Sequence, residues 1–165
     1  MPFSLLPKKY YPSLTAVSPE ALLSRGIRLL MLDFDNTIVP YTTDEPTAEM
    51  LQWLTRAQAS ELTLCVVSNS RNDRVVRFCA EYGIDCITHA AKPFSRGICR
   101  CLKKYGLRAA ETALVGDQIY TDVLGANCAG VISILIPAIN NHNIWLKLRH
   151  VLEMPFVLIA RRWRV

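Results

Sequence analysis

Two aspartates stand two residues apart in Asp33-Phe34-Asp35-Asn36-Thr37, directly behind an apolar run. On an extended chain leaving a sheet they share one side. Like charges held so close are tolerated when a cation sits between them or when one keeps its proton, and either condition marks a reactive site. Further along, Ser68-Asn69-Ser70 offers a hydroxyl and an amide ahead of a helix start whose free N–H groups suit an anion. Lys92 precedes Pro93, and Gly116-Asp117-Gln118 is followed by Thr121-Asp122. Gathered in one crevice, Asp33, Asp35, Ser68, Lys92, Asp117 and Asp122 make four carboxylates, one cation and one hydroxyl. That set suits magnesium, which takes carboxylate and carbonyl oxygens and leaves room for water and phosphate oxygens. A phosphate is then the natural substrate. A nucleophilic carboxylate beside a second carboxyl that donates and later accepts a proton is the equipment for an aspartyl-phosphate intermediate.

The crevice exists only if the chain folds to make it. Residues 27–32, 62–67, 84–88, 112–115 and 131–136 are apolar runs bounded by polar or turn residues, and they read as strands buried on both faces. Between them, residues 47–59, 73–82, 94–105 and 122–129 carry helical periodicity. Strand alternating with helix predicts right-handed crossovers and a mostly parallel sheet covered on both faces. The ligand crevice of such a sheet lies at the carboxyl ends of its strands. Each reactive residue named above follows a strand end.

In this order, DFDNT, SNS, KP and GDQxxTD resemble the haloacid-dehalogenase superfamily of phosphatases. The likeness runs from Pro7 to Glu153. With Lys8-Lys9-Tyr10-Tyr11, GDQIYTD, Gly125-Ala126-Asn127 and Arg149…Glu153, it is similar to the YqeG-type branch of subfamily IIIA, related to phosphatidylglycerophosphate phosphatases. The resemblance implies a Rossmann-like three-layer α/β sandwich with a mostly parallel five-stranded sheet of order 3-2-1-4-5. It implies Asp33 as nucleophile and metal ligand, Asp35 as acid/base residue and backbone-carbonyl metal ligand, and Asp117 as carboxylate ligand of magnesium. Ser68 and Asn69 would hold phosphoryl oxygens, Lys92 would balance charge, and Asp122 would support the site through water or by orienting Lys92. His89 has no visible partner for a base and is left outside the site.

Members of this superfamily often insert a cap domain after the first motif or between the second and third. Here 32 residues separate Asp35 from Ser68 and 23 separate Ser68 from Lys92, which one helix and one strand largely use in each case. No cap is expected. An open crevice suits a phosphate presented by something large: a lipid at a membrane, a protein or a nucleic-acid end.

The 165 residues are 51% hydrophobic and 20% charged, enough to bury a core and unlike a disordered or collagenous chain. The net charge of +5 is uneven: residues 1–30 carry +3, residues 140–165 carry +4, and the middle is −2. Basic ends attract lipid headgroups and nucleic-acid backbones alike, so a nonenzymatic binding module is the remaining alternative, disfavoured by the intact Asp33 and Asp35. Six cysteines lie in apolar segments at no zinc-like spacing and read as reduced, mostly buried thiols. On a helix, Cys99 and Cys101 point about 200° apart. No run reaches the ~18–20 apolar residues of a membrane span, and the N-terminus lacks the order of a signal peptide. The expected location is cytoplasmic, with peripheral contact at the inner face of a membrane. Residues 1–153 are expected to form the catalytic domain, with 1–26 a basic lead-in and short helix. Residues 154–165 form a basic aromatic tail whose Arg161, Arg162, Trp163 and Arg164 suit an anionic lipid surface, while Trp145, Leu146, Leu148 and Leu152 suit a closing helix on the sheet.

Overall fold

The computed structural model describes residues 4–71, 73–140 and 157–159. In chain order the elements are β1 (Lys9–Tyr10), α1 (Pro19–Ser24), β2 (Leu29–Leu32), α2 (Ala48–Ala59), β3 (Thr63–Val67), α3 (Asp73–Glu81), β4 (Asp85–Ile87), α4 (Arg96–Tyr105), β5 (Thr112–Gly116), α5 (Leu124–Ala129) and β6 (Ile132–Leu135). A 3-10 turn at Ala109–Glu111 precedes β5, and a π-helical turn at Ile119–Val123 runs directly into α5. Every strand pairing is parallel, in the order β1-β6-β5-β2-β3-β4.

The five expected strands stand in the expected order, with β2 central. The sheet has a sixth strand, however, drawn from the segment read as a basic lead-in. Lys9–Tyr10 makes no periodic pattern of its own, and its place is set by partners far along the chain. Asn127 Nδ2 donates to the carbonyls of Ser4 and Leu6 at 2.7 and 3.0 Å, while its Oδ1 accepts from the buried Ser133 hydroxyl at 2.8 Å. Lys8 N donates to Ser133 at 3.0 Å. A buried amide must find such partners, and here they hold the lead-in against β6.

The period of two sorts the strand residues between the two faces. Leu30, Leu32, Leu64, Val66, Ala113, Val115 and Ile134 pack with Leu22, Trp53, Leu54, Val75 and Phe78 from α1, α2 and α3. Leu29, Met31, Cys65, Val67 and Leu114 pack with Ile98 and Cys101 of α4 and Ala126 of α5. With both faces covered, the strands read as continuous apolar runs. Helix starts are capped locally: the hydroxyls of Ser18 and Thr47 accept from Ala21 N and Met50 N, both at 3.2 Å.

Two helix boundaries differ from the periodic reading. The periodic segment begins at residue 94, but Pro93 follows a cis peptide bond and α4 begins at Arg96. Asp122 was placed at a helix start and instead lies inside the π-helical turn, one residue before its end. Cys65, Cys79 and Cys101 are buried and Cys86 is half-buried, while Cys99 and Cys128 are exposed, so burial covers fewer of the six than expected. Val157 is buried with Tyr10, Ile119, Val123 and Leu135, and its neighbours Leu158 and Ile159 are exposed. The segment containing Trp145, Leu146, Leu148 and Leu152, and the tail residues Arg161, Arg162, Trp163 and Arg164, lie outside the described residues. Among those described, no helix is long and apolar enough to cross a membrane.

Gly97 lets α4 approach the loop behind β4. A Cβ there would fall 2.5 Å from both Cα and O of Ala90, a backbone contact that cannot be relieved by a side-chain rotation. Gly97→Ala should therefore destabilise the protein by ~1–3 kcal/mol, as overpacking against backbone does. The check is the urea midpoint, which should fall at unchanged slope; an unaltered midpoint would mean that this contact does not hold α4.

Candidate functional site

The carboxyl ends of β2, β3, β4 and β5 deliver their polar residues to one place. Asp33 follows β2 and is fixed across the sheet by its N–H, which donates to Val115 O at 2.9 Å. Lys92 comes from the loop between β4 and α4. Its Nζ donates to Asp33 Oδ1 at 2.6 Å and to Asp122 Oδ1 at 2.7 Å, and its side chain is 1% exposed. Asp122 Oδ2 accepts from Gln118 N at 3.1 Å, so both of its oxygens are engaged. The close approach of Asp122 requires Gly116 at the end of β5: a Cβ there would lie 2.4 Å from the carboxylate.

The backbone of Lys92 is held as firmly as its ammonium. Asn69, beyond β3, donates from Nδ2 to Lys92 O at 2.8 Å and accepts from Lys92 N at Oδ1 at 2.7 Å. Its side-chain amide thus aligns Lys92 through Oδ1 and one N–H of Nδ2, which carries a second N–H. Ser68 is buried; its Oγ accepts from Ser70 N at 3.0 Å, and its carbonyl accepts from Ala90 N at 3.0 Å. His89 is exposed and its Nδ1 lies 3.3 Å from Thr88 Oγ1.

Non-glycine residues with left-handed backbone are uncommon, and among the described residues they are Asn36, His89 and Ala91, with φ of 60°, 51° and 56°. All three lie in the loops that carry Asp35 and Lys92. Asn36 is suited to this conformation, and its surroundings fix it: its N–H donates to Val39 O at 2.7 Å and its Oδ1 accepts from Tyr41 N at 3.2 Å. Such conformations persist only where neighbouring contacts determine them, as they do here.

Electrostatically the centre is a buried cation among acids. Burial works against the charged form of Lys92, but Asp122 and Asp33 outweigh it and hold its pKa above the ordinary lysine range. Burial pushes Asp122 up to about 6, with Lys92 opposing and the Asp33 charge adding to the rise. Asp35 is also raised, first by burial, with Arg74 opposing and Asp33 contributing. Asp33, Asp117 and Asp122 each offer a carboxylate oxygen within 4.8 Å of the others. Three carboxylates less one ammonium leave two negative charges, and the donors are all hard oxygens; a divalent ion such as Mg2+ fits both the charge and the donor type.

Asp35 differs from the other acids. Its Oδ1 is bound by Arg74 Nη1 at 2.5 Å, and among the described residues it is Asp33, Asp117 and Asp122 that bring their carboxylates together as a cluster. Arg74 was not foreseen. It stands in Arg71-Asn72-Asp73-Arg74, a charge run that reads as a solvated helix start, and nothing in its spacing shows that it turns back to the loop after β2.

The arrangement has relatives. Residues 14–130 match the sequence profile of the haloacid dehalogenase-like hydrolase family. The chain is 30% identical over 131 residues to the Probable phosphatase YqeG of Bacillus subtilis (strain 168), a match covering 79% of this chain and 76% of that protein. Among solved structures it is similar in fold to the cobalt-bound deoxy-D-mannose-octulosonate 8-phosphate phosphatase (YrbI) of Haemophilus influenzae, with a TM-score of 0.52 and 17% identity over 76% of this chain and 75% of that one. A haloacid-dehalogenase-superfamily hydrolase of Ehrlichia chaffeensis gives a TM-score of 0.54 at 13% identity, covering 78% of this chain and 97% of the other. The profile match takes in the four motifs from Asp33 to Asp122 and the crossovers that bring them together, and on that ground the chain belongs to the haloacid dehalogenase-like hydrolase family.

Proposed function

We propose that this protein is a magnesium-dependent phosphomonoesterase that works through an aspartyl-phosphate on Asp33 and acts on a lipid phosphate such as phosphatidylglycerophosphate. The observation that carries the reading is the Lys92 ammonium bound to both Asp33 and Asp122, with the Asp117 carboxylate in the same cluster. Lys92 occupies Oδ1 of Asp33, so the second oxygen serves as the nucleophile. In the first half-reaction this oxygen bonds to phosphorus as the ester P–O bond breaks, and the Asp35 carboxyl gives its proton to the departing alcohol oxygen. In the second, a water oxygen bonds to phosphorus, the Asp33–phosphorus bond breaks, and Asp35 takes the proton from that water. Asp35 ends as it began.

The carboxylates of Asp33 and Asp117 and the backbone carbonyl of Asp35 would hold Mg2+. When bound, the ion polarises the phosphoryl group and offsets its negative charge. Asp122, with one oxygen on Lys92 and the other on the Gln118 N–H, orients the lysine. Lys92 steadies charge at Asp33 as the phosphoryl group is transferred. Ser68 and Asn69 receive phosphoryl oxygens: Asn69 Nδ2 has a second N–H besides the one that donates to Lys92 O. The lipid assignment draws on the segments between motifs. Asp35 to Ser68 contributes α2 and β3, and Ser68 to Lys92 contributes α3 and β4, with no additional layer among the described residues to cover the crevice. A substrate anchored in a larger body suits such an opening, and the basic ends favour an anionic surface, which would make the protein a peripheral membrane enzyme. The relative from Bacillus subtilis bears the name of a probable phosphatase.

Asp33→Asn should abolish phosphate release while leaving the thermal unfolding transition in place; an active variant would remove Asp33 as nucleophile. Chelation with EDTA should stop turnover and excess Mg2+ should restore it, whereas turnover that survives chelation would rule out the metal requirement. With Mg2+ present, phosphate should be released far faster from phosphatidylglycerophosphate in mixed micelles than from a 3′-phosphorylated oligonucleotide or a phosphopeptide. The reverse ranking would replace the lipid with that substrate.

A further inference from the structure

We propose that Arg74 is a positioning residue for the acid/base carboxyl: its guanidinium fixes Asp35 and the loop behind it as one unit. This rests on the reading of Asp35 as the proton donor and acceptor. Arg74 is the second residue of α3, and its side chain is 12% exposed, low for an arginine at a helix start. Four of its hydrogen bonds go to a single stretch of chain, residues 35–44. Nη1 binds Asp35 Oδ1 at 2.5 Å, Nη2 donates to Pro40 O at 2.8 Å and to Thr43 O, and Nε binds the Asp44 carboxylate. The guanidinium carbon lies 5.1 Å from the centre of the Phe34 ring, the residue between the two motif aspartates. Phe34 in turn meets Phe78 of α3 edge-on, with ring centres 5.1 Å apart.

A guanidinium is required for this. Its planar fork presents several N–H groups in fixed directions and stacks on an aromatic face, whereas an ammonium supplies a point charge on a flexible stem. Asp35 is otherwise joined to its surroundings through the bridge of its backbone to Val39. Without Arg74 its carboxyl would be free to turn about χ1, and the loop at Pro40–Asp44 would lose the cation on which its carbonyls converge. A proton donor must lie within hydrogen-bond reach of the departing oxygen, so such freedom would be felt where a proton has to be delivered.

Leaving-group dependence separates this role from that of a loop clamp. Benzyl phosphate and 4-nitrophenyl phosphate are similar in size, but benzyl alkoxide is a poor leaving group that needs a proton and 4-nitrophenolate leaves without one. The readout is single-turnover release of the alcohol with enzyme in excess, which isolates the first half-reaction. Arg74→Met should slow release from benzyl phosphate by on the order of 10²-fold, the scale of general-acid catalysis, and change 4-nitrophenol release only slightly. Arg74→Lys, which keeps the charge and loses the fork, should show the same split at roughly tenfold, and it serves if the methionine variant does not fold. Asp35→Asn should reproduce the full split. If Asp35→Asn splits the two substrates and neither Arg74 variant does, the positioning role is wrong while the reading of Asp35 stands. Equal slowing of both substrates in the Arg74 variants would reduce Arg74 to a structural clamp. A missing split in Asp35→Asn would overturn the acid/base reading and this inference with it.

Discussion

An ammonium group buried to 1% exposure is tolerated only if its desolvation is offset by close counter-charges, and at Lys92 two carboxylates meet that need at 2.6 and 2.7 Å. Much else in the molecule follows from this requirement. Asp33 arrives from the central strand, Asp122 from the turn after the next strand, and Asn69 from the far side to hold the lysine backbone. The three partners are more than fifty residues apart in sequence at the extremes, so the contact forms only when the parallel sheet is in register. The two glycines with closest approaches serve the same point. Gly116 leaves room for the Asp122 carboxylate, and Gly97 lets a helix press on Ala90, beside the loop that presents the lysine. Fold and chemistry thus share bonds.

The same arrangement sets what the crevice can accept. Lys92 neutralises one of three clustered carboxylates, and the two charges that remain match those of a divalent ion. Asp35 stands outside this cluster and is paired with Arg74, so the four acids divide into a set around Lys92 and one acid bound to an arginine. Environment rather than residue type gives each its task.

The sheet and the strand-end residues could be read from the sequence because their causes are local or periodic. Strands buried on both faces appear as unbroken apolar runs, and Asp33, Ser68, Lys92 and Asp117 each follow one of these. What could not be read depends on contacts distant along the chain. The Lys9–Tyr10 strand is positioned by Asn127 and Ser133, more than a hundred residues away, and a two-residue strand has no period to detect. Arg74 reaches back 39 residues to Asp35, and in the sequence it is one charge among several. The amide of Asn69 has the right chemistry for a phosphate ligand, and only the three-dimensional course of the loop after β4 shows that it also holds the backbone of Lys92. Asp122 was placed one helical element too late because a π-helical turn continues into α5 with no break in composition.

The first strand also changes the character of the sheet's margin. Were β6 the last strand, its outer N–H and C=O groups would offer a template on which another extended chain could pair. Lys9–Tyr10 occupies that side in register with Ile134 and Leu135, and Val157 covers Tyr10 from the other end of the chain. Segments distant along the chain therefore meet on the same border, where β6 is paired by a strand of only two residues. The opposite border, the three-residue β4, is protected differently: it is short, and it begins with Asp85, whose carboxylate is bound by Lys104 and Tyr105. The enzyme thus guards its two edges by separate means, one by added chain and the other by brevity and charge.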